Sequence, residues 1–467
     1  MLEAERHPDA DRLSACRVQV GPGEDDVRSI VCGAPNVAAG QLVPVATVGT
    51  VLSMRDSEAP GGTTDLKVDE RKIRGVESFG MICAEDELGL SDDHSGIMVL
   101  DADAEVGTSF HDYLVDRGRG EDYVIDVAIT PNRPDALGVY GIARDLAAKG
   151  LGKLKPLDVP AIKGSYTSPV NVELKFDDAH TDACSMFVGR YIKGVKNGPS
   201  PDWLQRRLIA IGLRPISALV DITNYVTFSH GRPLHVFDAN KVKGTIHARL
   251  AKAGETLEAL DGKTYTLDET MTVIADDNGA EGIAGIIGGE LSGCDETTTD
   301  VFIEAAYFDP VRTAATGRKL GIITDARYRF ERGVDPAFVE AGAQLCTQMI
   351  LELCGGEPSE LVIAGQAPLN ERSFELRKSR VKSLAGIDVP VERQTQILSD
   401  LGFKVSDKAD VLACAVPTWR PDVHGEADLV EEVARIVGLD NVEPAAMPRP
   451  HDVAKPVSYT HLTLPTS

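Results

Sequence analysis

The stretch from Lys155 to Pro169, KPLDVPAIKGSYTSP, constrains the fold most: it is rich in proline, lysine, glycine and serine, and no apolar period runs through it. One core cannot extend across such a segment, so a β-rich first part and a mixed second part are expected on either side. From Ala15 to Leu100 the short runs CRVQV, SIVCG, QLVPVATVG, GMICA and GIMVL alternate with Gly, Pro and Asp breaks, the pattern of a small barrel or sandwich. Residues 101–125 are acidic and polar, and IDVAITPNRPDALGVYGIARDLAAKG then predicts a strand, a proline-bounded turn and an amphipathic helix. From Val170 to about Ile363 the strands VNVELKF, FVGRYIKGV, GTIHARLA and MTVIAD mix with the helices PDWLQRRLIAIGL and PAFVEAGAQLCTQMILELC, an α+β pattern. Residues 373 to about 443 read strand, helix, strand, strand, helix, in SFELR, VERQTQILSDLGF, KVSD, VLACAVP and DLVEEVARIVGLDNV. The end of the chain has no apolar period and is expected to be an unstructured tail; its final ten residues read equally well as a native end or a cloning remnant. A length of 467 residues accommodates roughly three domains at about 100 to 200 residues each.

Charge and cysteine usage remove several function classes. Lys and Arg number 48 against 72 Asp and Glu, a net charge of −24, so a continuous basic coat for nucleic acid is excluded and any such contact must be local. No run of 18 apolar residues occurs, and MLEAERHPDADRL carries charges where a signal peptide needs an apolar core, which predicts a cytoplasmic chain without a membrane partner. The eight cysteines are scattered without a CxxC pair, so they are expected to be reduced and buried, and the ten histidines form no HxxxH, so no zinc site is expected. Asp261-Gly262-Lys263-Thr264 resembles a phosphate loop only at its end, because Leu257 stands where the leading glycine belongs; it reads as a hairpin turn between LEAL and TYTL.

Several blocks, in order and spacing, together resemble the β subunit of bacterial phenylalanyl-tRNA synthetase from about residue 3 to about residue 446. They are HPDADRL (7–13), VCGAPN (31–36), KIRGVESFGMICAEDELGL, DVAITPNRPD (126–135), DITNYV (221–226), GRPLHVFD (231–238), GIAGIIGG (282–289), TDARYRFERGVD (324–335), WRPD (419–422) and DLVEEVAR (428–435). The resemblance implies an α+β multidomain chain truncated at both ends. Its expected parts are a tRNA-binding OB-fold-like β-barrel domain with an incomplete N-terminus over 1–115, a connecting segment over 116–165, a central B3/B4-like editing domain over 166–366, a B5-like module over 372–446 and a tail over 447–467.

In that family the central domain hydrolyses tRNA mischarged with tyrosine. Matching residue by residue assigns Thr223, Asn224, His235 and Glu304 to catalysis and Ala284, Gly285, Thr324 and Ala326 to the substrate pocket. The residue types suit that chemistry. A carboxyl at Glu304 can bind the one hydroxyl that separates tyrosine from phenylalanine, small residues admit a flat ring, and His235 can bind or deprotonate a water. Without the resemblance, His235 reads as a core histidine, Glu304 in VFIEAAYF as a buried ion pair, and the glycine run as close backbone packing. The resemblance also implies magnesium at Asp422, Asp428, Glu431 and Glu432; three of these share a helical face by their i, i+3, i+4 spacing, although acidic residues also suit a helix start without a metal. Lys72 and Arg74 are the local basic candidates for tRNA contact, a solvated hairpin being the plainer reading.

Aminoacylation in the family uses ATP at the α subunit of an α2β2 heterotetramer. Here Phe330-Glu331-Arg332 resembles an arginine motif only superficially and no GxGxGxR block exists, so this chain is not expected to form an adenylate alone. Two other readings are a non-catalytic RNA-binding and assembly scaffold, for which the central pocket would be collapsed and apolar, and a free-standing deacylase, for which the flanking modules are superfluous.

Overall fold

The computed structural model describes residues 1–55, 63–90, 94–117, 120, 123–442 and 444, so the expected tail over 447–467 lies outside the described residues. The chain forms two compact units, Met1–Ile125 and Asp126–Ser467.

The first unit is built of short antiparallel pieces. Glu3–Arg6, Ser14–Gln19 and Val27–Cys32 form a meander in which every second residue turns inward, so that Cys16, Val18, Ile30 and Cys32 meet in one small core with Ile82 and Ile97. Three further ribbons pair Val45–Thr47 with Gly80–Ile82, Val51–Arg55 with Thr63–Lys67, and Arg71–Ile73 with Val76–Ser78. The run GIMVL is not a strand. The Asn36 side chain takes over the role of a ladder neighbour, its Nδ2 donating to Ile97 O and its Oδ1 accepting from Ile97 N, both at 2.9 Å. Within the acidic stretch 101–125 the helix Phe110–Asp116 forms, capped by Ser109, whose Oγ accepts from Asp112 N, and anchored by buried Tyr113.

The second unit is organised by two sheets packed face to face. One has the order His235–Asp238, Asp300–Phe308, Cys184–Lys193, Glu357–Gly365, all antiparallel. The other contains Val172–Lys175, Ile246–Leu250, Thr272–Ala275, Ala280–Ile283 and Ile287–Gly288, parallel only in its first pair. Strand alternation sorts the long central strand: Phe302, Ala306 and Phe308 pack toward the second sheet, whereas Val301, Ile303 and Ala305 pack under the helices Ala218–His230 and Val339–Leu353. Asp261-Gly262 forms the hairpin turn expected between Thr256–Glu258 and Thr264–Thr266, with Gly262 at φ +74°.

Two readings of this region change. The segment 155–169 is not a free linker: Ser165 N donates to Pro358 O, Glu360 N to Tyr166 O, and the buried Arg190 guanidinium to Ile162 O, so the segment covers the outer edge of Glu357–Gly365. Its prolines suit a chain that lies along an edge without adding a ladder strand, which blunts that edge against further pairing. IDVAIT is not a strand either; it has no ladder partner among the described residues, and Ile125 is 79% exposed. The amphipathic helix after it forms as Val139–Lys149.

The module beyond residue 372 follows its pattern closely, with Ser373–Arg377, Val391–Asp400, Lys404–Asp407, Val411–Ala415 and Glu426–Val437 around a core of Leu376, Ile397, Leu398, Leu412, Leu429 and Val433. A short helix, Arg380–Ala385, is the addition. All eight cysteines are free and seven are buried. Among the described residues no helix is long and apolar enough to cross a membrane.

Candidate functional site

His235 opens one strand of the first sheet and stands directly opposite Glu304 in the ladder, so the two side chains share the face turned toward the second sheet. Between the sheets is a cavity of about 410 Å³. Phe237, Ala306 and Phe308 line it from the first sheet, and Ile274, Gly282 and Ala284 from the second. Of the eight residues expected here, seven line the cavity: Asn224, His235, Ala284, Gly285, Glu304, Thr324 and Ala326. Thr223 does not. Its Oγ1 donates to Val220 O at 2.8 Å inside its own helix, so that hydroxyl is turned away from the role expected of it.

The electrostatics are set by burial. Glu304 is 8% exposed and has no ion pair within 4 Å among the described residues, and desolvation pushes its carboxyl up from 4.5 to about 8, which leaves it mostly neutral at pH 7. The plainer reading of Glu304 as half of a structural ion pair therefore fails. His235 is pushed down to about 4 by the same cause and is a neutral imidazole at pH 7; its Nε2 is buried with no hydrogen-bond partner among the described residues. The ring packs edge-on against Phe237, centroids 4.4 Å apart, and its Cε1 and Nε2 lie where a side chain at Gly288 would collide. The glycine run thus has a packing purpose that also shapes the cavity.

Gly285 sits at the tip of the turn between Ala280–Ile283 and Ile287–Gly288 with φ +68°, and a Cβ there would lie 3.0 Å from both Phe308 and Phe330. Thr324 fixes this tip to the next helix: its Oγ1 donates to Ile286 O at 2.7 Å and accepts from Arg327 N at 3.1 Å as the N-cap of Asp325–Phe330. Phe308 and Phe330, with centroids 5.2 Å apart, form an apolar wall that the sequence reading missed. Phe308 was accessible by period two, being four residues from Glu304 on one strand; Phe330 comes from another element and gave no local signal.

The magnesium expectation does not fit. Asp422 is gripped by Arg420 through two bonds of 2.8 Å, and Glu432, 1% exposed, accepts from Arg420 at 2.5 Å and from Arg435 at 2.8 and 2.5 Å. Burial alone would raise Glu432, but the bonds from Arg435 and Arg420 outweigh it and hold the carboxyl at about 2. Asp428 Oδ2 accepts from His424 N and Gly425 N at the helix start, and Glu431 is exposed. Arginines therefore supply the cations, and among the described residues no group of three or more acidic, histidine or cysteine side chains could hold a metal ion. The same network reaches the helix Val139–Lys149, where Arg435 pairs with Asp145 at 2.7 Å.

In the first unit exposed Lys72 lies on the strand Arg71–Ile73, and exposed Arg74 opens the two-residue turn Arg74-Gly75 of the same hairpin. Arg74 has φ +46°, uncommon for a residue with a Cβ, and the tip is tied down by a 3.1 Å contact between His7 Nε2 and Ile73 O.

Three family models match the chain: a putative tRNA binding domain over residues 1–109, a B3/4 domain over 183–355 and a tRNA synthetase B5 domain over 374–439. The phenylalanine–tRNA ligase beta subunit of Paramagnetospirillum magneticum is 55% identical over 457 residues, 98% of this chain and 55% of that protein. That of Mesorhizobium japonicum is 54% identical over 466 residues, 100% of this chain and 56% of that protein. The chain thus spans a little over half the length of the curated relatives it matches. A solved N-terminal fragment of the phenylalanyl-tRNA synthetase beta subunit of Pyrococcus horikoshii overlays 67% of the chain with a TM-score of 0.34 at 17% identity. On the three domain models and the relatives of 54–55% identity, the chain belongs to the phenylalanyl-tRNA synthetase β-subunit family.

Proposed function

We propose that this chain binds tRNA and hydrolyses tyrosine from mischarged tRNA(Phe), as part of a cytoplasmic phenylalanine–tRNA ligase. Aminoacylation with ATP and magnesium falls to an α subunit, with which the β subunit forms an α2β2 assembly. The observation that carries the editing reading is the polar pair His235 and Glu304 facing an open cavity between two sheets. A scaffold without chemistry would be expected to close such a cavity with apolar side chains, since a carboxyl buried without a partner destabilises the fold.

In this reading the tyrosyl ring lies between the Gly285 tip and the Phe308–Phe330 wall, and its hydroxyl meets Glu304. A neutral carboxyl both donates and accepts, so it satisfies a phenol fully; phenylalanine would leave it unpaired. His235, neutral and with Nε2 free, orients the attacking water or the terminal ribose. A group held near 4 is a weak base at pH 7, so positioning accounts for its role better than proton removal. Asn224, which lines the same cavity, would hold the ribose. Lys72 and Arg74 give a local cationic tip for the tRNA backbone in a chain of net charge −24.

A stable amide analogue of 3′-tyrosyl-adenosine tests this pocket. It is expected to bind the purified chain at least about tenfold more tightly than the phenylalanyl analogue, with the preference lost in Glu304→Ala. Equal binding of both analogues to the unaltered chain would refute the recognition role.

A further inference from the structure

We propose that a second cavity, of about 300 Å³, on the far side of the Gly231–Arg232 turn is a binding site for a small aromatic carboxylate. Its walls come from the helix Val139–Lys149, the segment 154–157, the turn after Ala218–His230 and the C-terminal module. The site goes beyond the editing reading and does not depend on it.

Arg232 supplies the charge. It is 1% exposed, and burial lowers it only to about 10, so it stays charged at neutral pH. Yet among the described residues it has only main-chain acceptors: Nη1 donates to Ala306 O at 3.0 Å and Nη2 to Asp335 O, while Nε has no partner there. No carboxylate lies within ion-pair distance of it among the described residues. Asp335 acts on it only from beyond that distance, so burial of the cation is incompletely offset, and an anion in the adjoining cavity would add to that compensation. Arg144 lines the same space. Its guanidinium lies 4.3 Å from the Trp419 ring centroid, and its carboxylate contact is a 3.5 Å approach to Asp135, which already accepts two bonds of 2.8 and 2.9 Å from Arg133.

The rest of the lining selects a ring. Tyr140, His230 and Phe338 stack in series with centroids 6.0 and 5.9 Å apart, and burial lowers His230, which disfavours its charged form. Leu154, Leu157 and Trp419 complete the apolar surface. The volume is at the small end for ligand pockets, which suits one ring with a short acidic chain. Asp135, Asp335 and Asp400 also line it, Asp135 being held by Arg133, so an aromatic amino acid, whose ammonium the other two would face, and a simple aryl carboxylate share the required chemistry.

The test is titration of the full chain with 3-phenylpropionate, phenylalanine and phenethylamine, read by calorimetry. 3-Phenylpropionate is expected to bind with Kd on the order of 1 mM or tighter, and phenethylamine at least about tenfold more weakly. If phenylalanine binds better than 3-phenylpropionate, the amino acid is the source; if worse, the simple acid is. Leu157→Trp, which fills the cavity from a segment without regular structure, and Arg144→Met are each expected to weaken binding about tenfold or more. Absence of binding at about 10 mM, equal binding of phenethylamine, or affinity unchanged in both variants would overturn the proposal.

Discussion

Replacing Glu304 by glutamine keeps shape and hydrogen-bonding capacity but removes the titration, which isolates what burial does to this carboxyl. In the folded chain it titrates near 8 rather than 4.5, so the native state holds a proton that the unfolded state releases. The stability associated with this group is fully present below about 4.5 and is lost as pH rises through about 8. At about 1.4 kcal/mol per pH unit, the loss is on the order of 4 kcal/mol by pH 8 to 9. Glu304→Gln is therefore expected to match the unaltered chain near pH 4.5 and to exceed it progressively toward pH 9. Denaturant midpoints taken across that range give the difference directly. A difference that does not change with pH would refute the reasoning, because the carboxyl would then be solvated or paired. A variant that fails to fold at every pH would instead make Glu304 a structural partner. Tyrosine recognition should follow the same logic: glutamine retains most of it at pH 7, and Glu304→Ala lowers the tyrosyl over phenylalanyl ratio by about 1 to 3 kcal/mol, or roughly 5- to 150-fold.

Gly285→Val places a branched side chain at a positive φ and against Phe308 and Phe330, so it should abolish hydrolysis and lower stability by at least about 1 to 2 kcal/mol, read by thermal melting. Retained activity in a folded Gly285→Val chain would show that the tip is not part of the pocket. Glu432, held at about 2, contributes stability above about 4.5 that is lost as pH falls toward 2, on the order of 3 kcal/mol; Arg435→Met should shrink that acid-side loss, and an unchanged profile between pH 5 and 2 would contradict the network. Lys72→Ala and Arg74→Ala are each expected to weaken tRNA binding and to flatten its salt dependence by about one phosphate contact, whereas an unaltered slope would leave the hairpin merely solvated.

Period-two and period-3.6 patterns carried the C-terminal module and most central strands because each of those elements buries one face against a single core. They failed where a side chain replaced a ladder neighbour, as Asn36 does for GIMVL, and where a proline-rich stretch was recruited to cover a sheet edge at 155–169. The candidate pocket was reached mainly through family motifs. Of its members, Phe308 had a local signal and Phe330 had none, because their meeting depends on packing of distant elements. The acidic face was misread for a related reason: its spacing along the helix is visible in sequence, but Arg420 and Asp145, which decide its use, arrive from outside that helix.

The central claim is selective hydrolysis, and single-turnover deacylation of tyrosyl-tRNA(Phe) and phenylalanyl-tRNA(Phe) by the purified chain at pH 7 measures it most directly. The neutral Glu304 facing the cavity predicts that the tyrosyl ester is cleaved at least about 100-fold faster. Equal rates on the two esters, or no cleavage of either by a folded chain that still binds tRNA, would contradict it.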